Sequence, residues 1–251
     1  MKLLDTSLPD VIPARGSRPE RKGSGEVAGK LNIKSRHVVY TSPSGRFTVE
    51  RLNPGNYPQF KDDLVRIAKK MPDTGPVEAV GDYVNSLVRK SRKAGFISSM
   101  SDTSDFIVRI DGKVVGYRLA APMTRGPKAG QNLSLLTIGV DPRYKGLGVG
   151  SALYWIAANE AVRRGLPGMR AQSQYGNDEA NNILSRMGFE TQNLPTDYEA
   201  LVTGCITYRW KAKTEDVLKK AGEVAGEKID AGEKRNWRPK RPGRTILRGL
   251  G

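Results

Sequence analysis

One stretch constrains the fold of this chain more than any other: "VDPRYKGLGVGSAL", residues 140–153, with Gly146, Gly148 and Gly150 inside five positions. An apolar run, "NLSLLTIGV" (132–140), leads into it, and "SALYWIAANEAVRRG" (151–165), apolar at helical spacing, follows. Glycine inside regular structure is entropically costly, so three together mark a sharp turn or a close approach to the backbone. A strand, a proline-bearing turn and a run of amides feeding a helix start make an anion site. The first N–H groups of a helix lack internal partners, and the helix dipole is positive there. A tight turn whose glycines serve geometry alone is the other reading of the same residues.

Two familiar phosphate loops fail on spacing. A dinucleotide fingerprint, G-x-G-x-x-G, started at Gly146 needs glycine at Ser151, and started at Gly148 needs it at Leu153. A P-loop needs Gly-Lys-Ser/Thr, but Lys145 precedes its glycine. The N-terminal "GSGEVAGKL" (23–31) has Ser24 where glycine belongs and Leu31 where Ser or Thr belongs.

The neighbouring sequence reads as an α/β chain. "RFTVERL" (46–52) alternates as a strand, and "YPQFKDDLVRIAKKM" (57–71) and "PVEAVGDYVNSLVRKSRKAG" (76–95) are helical in period. "DFIVRI" and "KVVGYRLAAPM" flank Asp111-Gly112, the signature of a hairpin with a type I′ turn. "GMRAQSQ" (168–174) reads as a strand, and "NDEANNILSRMGF" (177–189) as a short helix capped by Asn177 and stopped by Gly188. "ALVTGCITYRWK" (200–211) reads as a closing strand.

Residues 1–45 are rich in Pro, Gly, Ser and charge and are expected to be an extended or disordered basic arm, with the folded domain at 46–211. Residues 212–251 read as an amphipathic helix, with Val217, Ala221, Val224 and Ala225 on one stripe, followed by an Arg/Lys/Pro-rich tail.

Composition narrows the chemistry. Against 26 Asp and Glu stand 42 Lys and Arg, a net charge of +16. Such a chain attracts polyanions, so the arms are candidates for docking on nucleic acid or an acidic protein partner, with plain solvated charge as the alternative. One cysteine and one histidine exclude an internal disulfide and a structural zinc site, and argue against a Ser-His-Asp triad. The N-terminus breaks its apolar run at Asp5, and no apolar run approaches the roughly 18 residues of a membrane span. A cytoplasmic location is expected, with no membrane.

The glycine stretch also resembles a known family. Val140-Asp-Pro142, then Lys145-Gly146-Leu147-Gly148-Val149-Gly150, is similar to motif A of the GNAT superfamily of N-acetyltransferases. That motif is a V-x-P strand end, then R/Q-x-x-G-x-G/A, then a helix; Lys stands here where Arg or Gln is usual. Asn177, Ala180 and Gly188-Phe189 resemble the N-x-x-A…G-F block of the following helix. The resemblance spans residues 46–211 and implies a mixed, splayed central sheet flanked by helices, with the basic N- and C-terminal arms outside it. It implies acetyl-CoA or another acyl-CoA as co-substrate, lying between the strands before and after motif A. By that resemblance, backbone groups of Ile138 and Val140 pair with the pantetheine arm. The amides of Lys145, Gly146, Leu147, Gly148, Val149, Gly150 and Ser151 hold the pyrophosphate, and Asn177 sits near the pantetheine as well as capping its helix. The implied activity is acyl transfer, in particular acetyl transfer to an amine of a protein, peptide or small molecule.

Transfer from a thioester to an amine needs a base for the amine, donors for the oxyanion and a proton for the thiolate. In many members of the family a tyrosine seven residues after the Asn supplies that proton; here the position is Leu184. Tyr175 is the nearby substitute, and its plain reading is a loop or core aromatic. The strand at 132–140 contains no acid, and its Ser134 and Thr137 can at most order a water. Glu50, Glu78 and Asp105 read as solvated surface carboxylates. These departures define the alternative: a catalytically degenerate GNAT-fold binding or structural protein in a nucleoprotein or virion-like assembly, docking through its basic arms.

Overall fold

The protein is described by a computed structural model, which covers residues 27–35, 37–53, 55–70, 104–122, 131–174, 177–192 and 207–235. The strands are β1 (Lys30–Leu31), β2 (Val38–Thr41), β3 (Phe47–Arg51), β4 (Phe106–Ile110), β5 (Lys113–Pro122), β6 (Asn132–Val140), β7 (Gly168–Gln174), β8 (Glu190–Thr191) and β9 (Thr207–Lys213). The helices are α1 (Tyr57–Ala68), α2 (Val149–Arg163), α3 (Asp178–Arg186) and α4 (Thr214–Lys234). One sheet runs in the order β1-β2-β3-β4-β5-β6-β7-β9-β8.

Local chemistry explains the elements. Asp111 and Gly112 take φ of 50° and 76°, both positive, as a type I′ turn between β4 and β5 demands. The α3 helix is capped by Asn177, whose side chain accepts from the Ala180 amide at 2.9 Å, and stopped by Gly188 at φ 90°. Apolar side chains fill both faces of the sheet. On one face α1 buries Tyr57, Phe60, Leu64 and Ile67 against Ile107, Val114, Tyr117 and Leu119. On the other, α2 lies on β4, β5 and β6, and comes close because Gly116 has no Cβ; one there would stand 2.6 Å from Val149 Cγ1. A buried carboxylate ties α2 to the sheet: Glu160 receives Arg51 at 3.1 Å, Arg163 at 2.6 Å and Arg164 at 2.7 Å. Burial opposes its charge, but these hydrogen bonds prevail and lower its pKa to about 2.

Three features differ from the sequence reading. The sheet starts at Lys30, so part of the 1–45 arm is folded: β2 pairs with β3, and Tyr40 meets Trp155 edge to face at 5.4 Å. Two buried side chains, Val39 and Tyr40, suffice for this, too few to dominate a window of polar composition. The last strand continues to Lys213 and pairs with β8, which the sequence left unassigned. The C-terminal helix is also part of the domain, since α4 buries Val217, Ala221, Ala225 and Ile229 in the core shared with α2. Its Glu233 accepts the Ser44 hydroxyl at 2.6 Å. The expected helix at 76–95 lies outside the described residues, as do 200–206.

Candidate functional site

Among the described strands β6 and β7 form the parallel pair, joined by α2 as the crossover, and they part early. Asn132, Leu133 and Ser134 pair with Gly168, Met169 and Arg170, and the ladder stops there. On the other side β6 stays paired with β5 up to Val140, with a register shift opposite Leu119 and Ala120. The Asp141 amide donates to Val115 O at 2.8 Å, which fixes the direction of the groups before it. Backbone groups alternate between the two edges of a strand, so those of Ile138 and Val140 face away from β5, toward the edge that β7 has left.

That edge runs into the glycine turn. Gly146 and Gly148 both take φ of 83°, left-handed backbone that a side chain would strain. The turn is pinned from below by Asp141, which is fully buried and receives Arg143 at 2.8 Å, Arg66 at 3.2 Å and Lys70 at 3.2 Å. Burial opposes its charge, and hydrogen bonds from Arg143 and Lys70 outweigh it, holding the carboxyl well below the usual range. Helix α1 is thereby clamped to the loop.

Helix α2 opens with no side-chain cap, its N-cap being Gly148. Its first turn closes with Ala152 N on Gly148 O at 2.8 Å, so the amides of Val149, Gly150 and Ser151 lie ahead of that bond. The glycines here divide their roles. A Cβ on Gly150 would meet only Val140 Cγ2, at 3.9 Å, so the backbone there is open to approach. A Cβ on Gly148 would stand 2.8 Å from Lys228 Cβ, so the space it leaves is taken by α4. The geometric reading of the turn therefore holds at Gly148, while Gly150 leaves space beside the helix start. Lys145 is engaged as well, its Nζ lying 2.7 Å from Glu179 on α3. A separate cavity of about 320 Å³ between α1 and the hairpin turn is lined by Asp63, Arg66, Lys113 and Arg143, and Arg66 and Arg143 there already pair with carboxylates.

The remaining candidates separate clearly. Leu184 is buried in the core, 2% exposed, and carries no donor. Asn177 is occupied as a helix cap. Tyr175 and Glu78 lie outside the described residues. Asp105 is not a surface carboxylate: it is fully buried, accepts the Tyr57 hydroxyl, and takes the Ala120 amide at 2.8 Å. Its position at the start of β4, under α1, removes it from solvent. Glu50 lies at the sheet surface, 2.8 Å from Arg109.

Sequence reasoning overlooked Tyr117 on β5. Its ring lies over Gly139 of β6, where a Cβ would be 2.4 Å from Cε1 and 2.7 Å from Cζ. A glycine inside a strand is the signal that points to such a contact.

A mixed sheet whose parallel strands part midway, with the freed edge leading into an uncapped helix start, defines an α/β fold of the acyltransferase type. Residues 80–189 match the model of the acetyltransferase (GNAT) family. Among solved structures, an acetyltransferase of the GNAT family from Streptococcus pneumoniae superposes with a TM-score of 0.50 at 18% identity, over 66% of this chain and 98% of that one. A GNAT-family protein from Desulfovibrio desulfuricans also gives 0.50, at 13% identity, over 67% and 99%. At these identities the two establish the fold. No curated protein matches the chain. That match supports acyl transfer in general. Among the described residues, no helix is long and apolar enough to cross a membrane.

Proposed function

We propose that this protein is an acyl-CoA-dependent N-acyltransferase that moves an acetyl group to an amine of a protein, peptide or small molecule. The observation that carries the reading is the open edge of β6 beyond Ser134, continuous with the uncapped start of α2. Coenzyme A fits that arrangement chemically. Its pantetheine is an extended diamide, which can pair with the free backbone groups of Ile138 and Val140 as a missing strand would. Its diphosphate suits the amides of Val149, Gly150 and Ser151, with Lys145, Gly146, Leu147 and Gly148 forming the rest of the turn. Asn177 borders the same gap in this reading while it caps α3. Bound there, the coenzyme supplies an acyl group activated as a thioester.

The residues of the chain contribute position and environment. The two strand edges fix the acyl end where they part, beside Thr137, which can hold a water for the amine proton. Fixed geometry of this kind raises effective concentration without a dedicated base. The match to an acetyltransferase family does not favour a purely structural protein. From charge alone we include the two basic ends in the proposal, as segments that dock on nucleic acid or an acidic protein.

Thermal unfolding with acetyl-CoA tests the site. Ligand at a hundredfold over Kd stabilises by about 2.7 kcal/mol, which raises Tm by roughly 5–10 °C at this size. Gly150→Glu should leave the unliganded Tm within about 2 °C, because its Cβ has room and its carboxylate suits a helix start. The same carboxylate repels a diphosphate, so the acetyl-CoA shift should vanish. A wild-type Tm that does not move at millimolar acetyl-CoA would refute the proposal.

A further inference from the structure

The reaction needs a proton for its leaving thiolate, and α3 carries the buried Leu184, which has no proton to give, seven residues after its Asn177 cap. We propose that the hydroxyl of Tyr117, reaching across β6 from the neighbouring strand, delivers that proton. The inference rests on the transferase reading and adds a catalytic residue to it.

Placement comes first. Tyr117 is in register with Gly139, and its ring crosses from β5 onto β6 in the space that Gly139 leaves. The hydroxyl extends one bond beyond Cζ, which puts it over β6 and beside Thr137. Thr137 follows Ser134, the last β6 residue paired with β7, by three positions, so the phenol stands near the point where the strands part.

The orphan state of the hydroxyl comes second. Tyr117 is fully buried, and among the described residues its oxygen closes no hydrogen bond of ordinary geometry, with the Thr137 side chain as its polar neighbour. Phenylalanine would fill the same space without stranding a polar group, and buried polar groups are otherwise paired. The neighbouring phenols differ. Tyr40 donates to Ala28 O at 2.5 Å, and Tyr57 donates to Asp105. Ser173 on β7 is also committed, giving its proton to Asn181 at 2.6 Å and accepting Trp210 Nε1 at 2.7 Å. A hydroxyl held only by a loose contact to Thr137 can turn its proton to a departing sulfur.

The step balances as follows. As the amine nitrogen bonds to the acyl carbon, the carbon–sulfur bond breaks and its electron pair leaves on sulfur. The phenolic proton moves to that sulfur, giving the thiol and a phenolate. The proton shed by the new amide nitrogen restores the phenol through the Thr137 hydroxyl. Burial raises the Tyr117 pKa, with the Thr137 contact opposing it, so the phenol is protonated at neutral pH. A thiol held in the same dry site is raised by the same desolvation, which keeps donor and acceptor matched.

The test compares wild type with Tyr117→Phe, using acetyl-CoA and coenzyme A as probes. Three readouts are expected: acetyl-CoA affinity within about twofold of wild type, acetyl-CoA hydrolysis slowed by about 10²-fold, and a bound coenzyme A thiol whose pKa rises by about one unit when followed by thiolate absorbance. An unchanged hydrolysis rate or an unchanged thiol titration overturns the role of Tyr117. Equal losses in affinity and rate also overturn it, by showing a packing role. Should Tyr117→Phe not fold, Tyr117→3,5-difluorotyrosine keeps the ring and acidifies the phenol. The pH limb of hydrolysis must then move down, and a stationary limb overturns the assignment. If wild type binds neither probe, the transferase reading itself falls; if it binds both and the variants behave as wild type, only Tyr117 falls.

Discussion

The two edges of β7 are made by the same seven residues and end in opposite states. Toward β9 every residue from Gly168 to Gln174 is paired. Toward β6 only Gly168, Met169 and Arg170 are. A poor strand former would loosen both edges, so the parting is imposed from the β6 side. There the register slips against β5, and irregularity of that kind bends a strand and increases its twist. The closed edge also carries side-chain reinforcement, with Trp210 Nε1 on Ser173 Oγ at 2.7 Å. Stability therefore belongs to the closed edge, and unspent backbone hydrogen-bonding capacity to the open one.

Truncation on each edge tests that division most strongly. Trp210, 7% exposed, packs in the main core, and Trp210→Ala should cost about 3–5 kcal/mol of unfolding free energy in urea titration. Ile138→Ala, at a half-buried position on the opening side, should cost about 1 kcal/mol, leaving backbone pairing to a ligand untouched. Equal losses at the two positions would mean that the open edge is as much a structural element as the closed one.

A smaller effect is expected below the glycine turn. Asp141→Asn removes a buried carboxylate from Arg143, Arg66 and Lys70 and should cost about 2–3 kcal/mol at pH 7. The sign with pH is fixed by the lowered pKa of Asp141 in the folded chain. Such a group contributes fully above its unfolded value, about 3.9, and its contribution is lost as pH falls through the folded one. Wild type and variant should therefore converge on acidification below about pH 4. A gap that stays constant down to pH 2 would show that the amide disrupts packing, not charge pairing.

How much of this was legible in the sequence depended on the range of each signal. Local chemistry read well: Asp111-Gly112 as a turn, Asn177 as a cap, and the bounds of β6 and β7, because each is decided within a few residues. The short strands β1, β2 and β8 did not read, since two-to-four-residue strands owe their existence to a neighbour already in place. At the site, the glycine turn was visible but the separate duties of its glycines were not. The demand on Gly148 comes from Lys228, eighty positions further along the chain. Asp105 was misjudged for the same reason, because its burial depends on Tyr57 and the Ala120 amide, both distant in sequence. Tyr117 was passed over although Gly139 marked the place where something had to cross β6.

The weakest expected effect sharpens the comparison at the mouth of the open edge. Lys145 and Glu179 pair at 2.7 Å with side chains 39% and 58% exposed, and water screens such a pair, so Lys145→Ala should change stability by less than about 0.5 kcal/mol. Ligand binding should respond more. A diphosphate at the turn offers Lys145 two charges where Glu179 offers one, so the lysine can exchange partners at little cost. Acetyl-CoA affinity should then fall about three- to tenfold in Lys145→Ala at low ionic strength, and the difference should shrink at 0.5 M salt as screening removes the charge term. Glu179→Gln should act in the opposite direction, freeing the lysine and tightening acetyl-CoA modestly, as calorimetry of the two variants would read. If both variants weaken binding, the Lys145–Glu179 pair holds the turn in shape and the lysine does not leave it for the ligand.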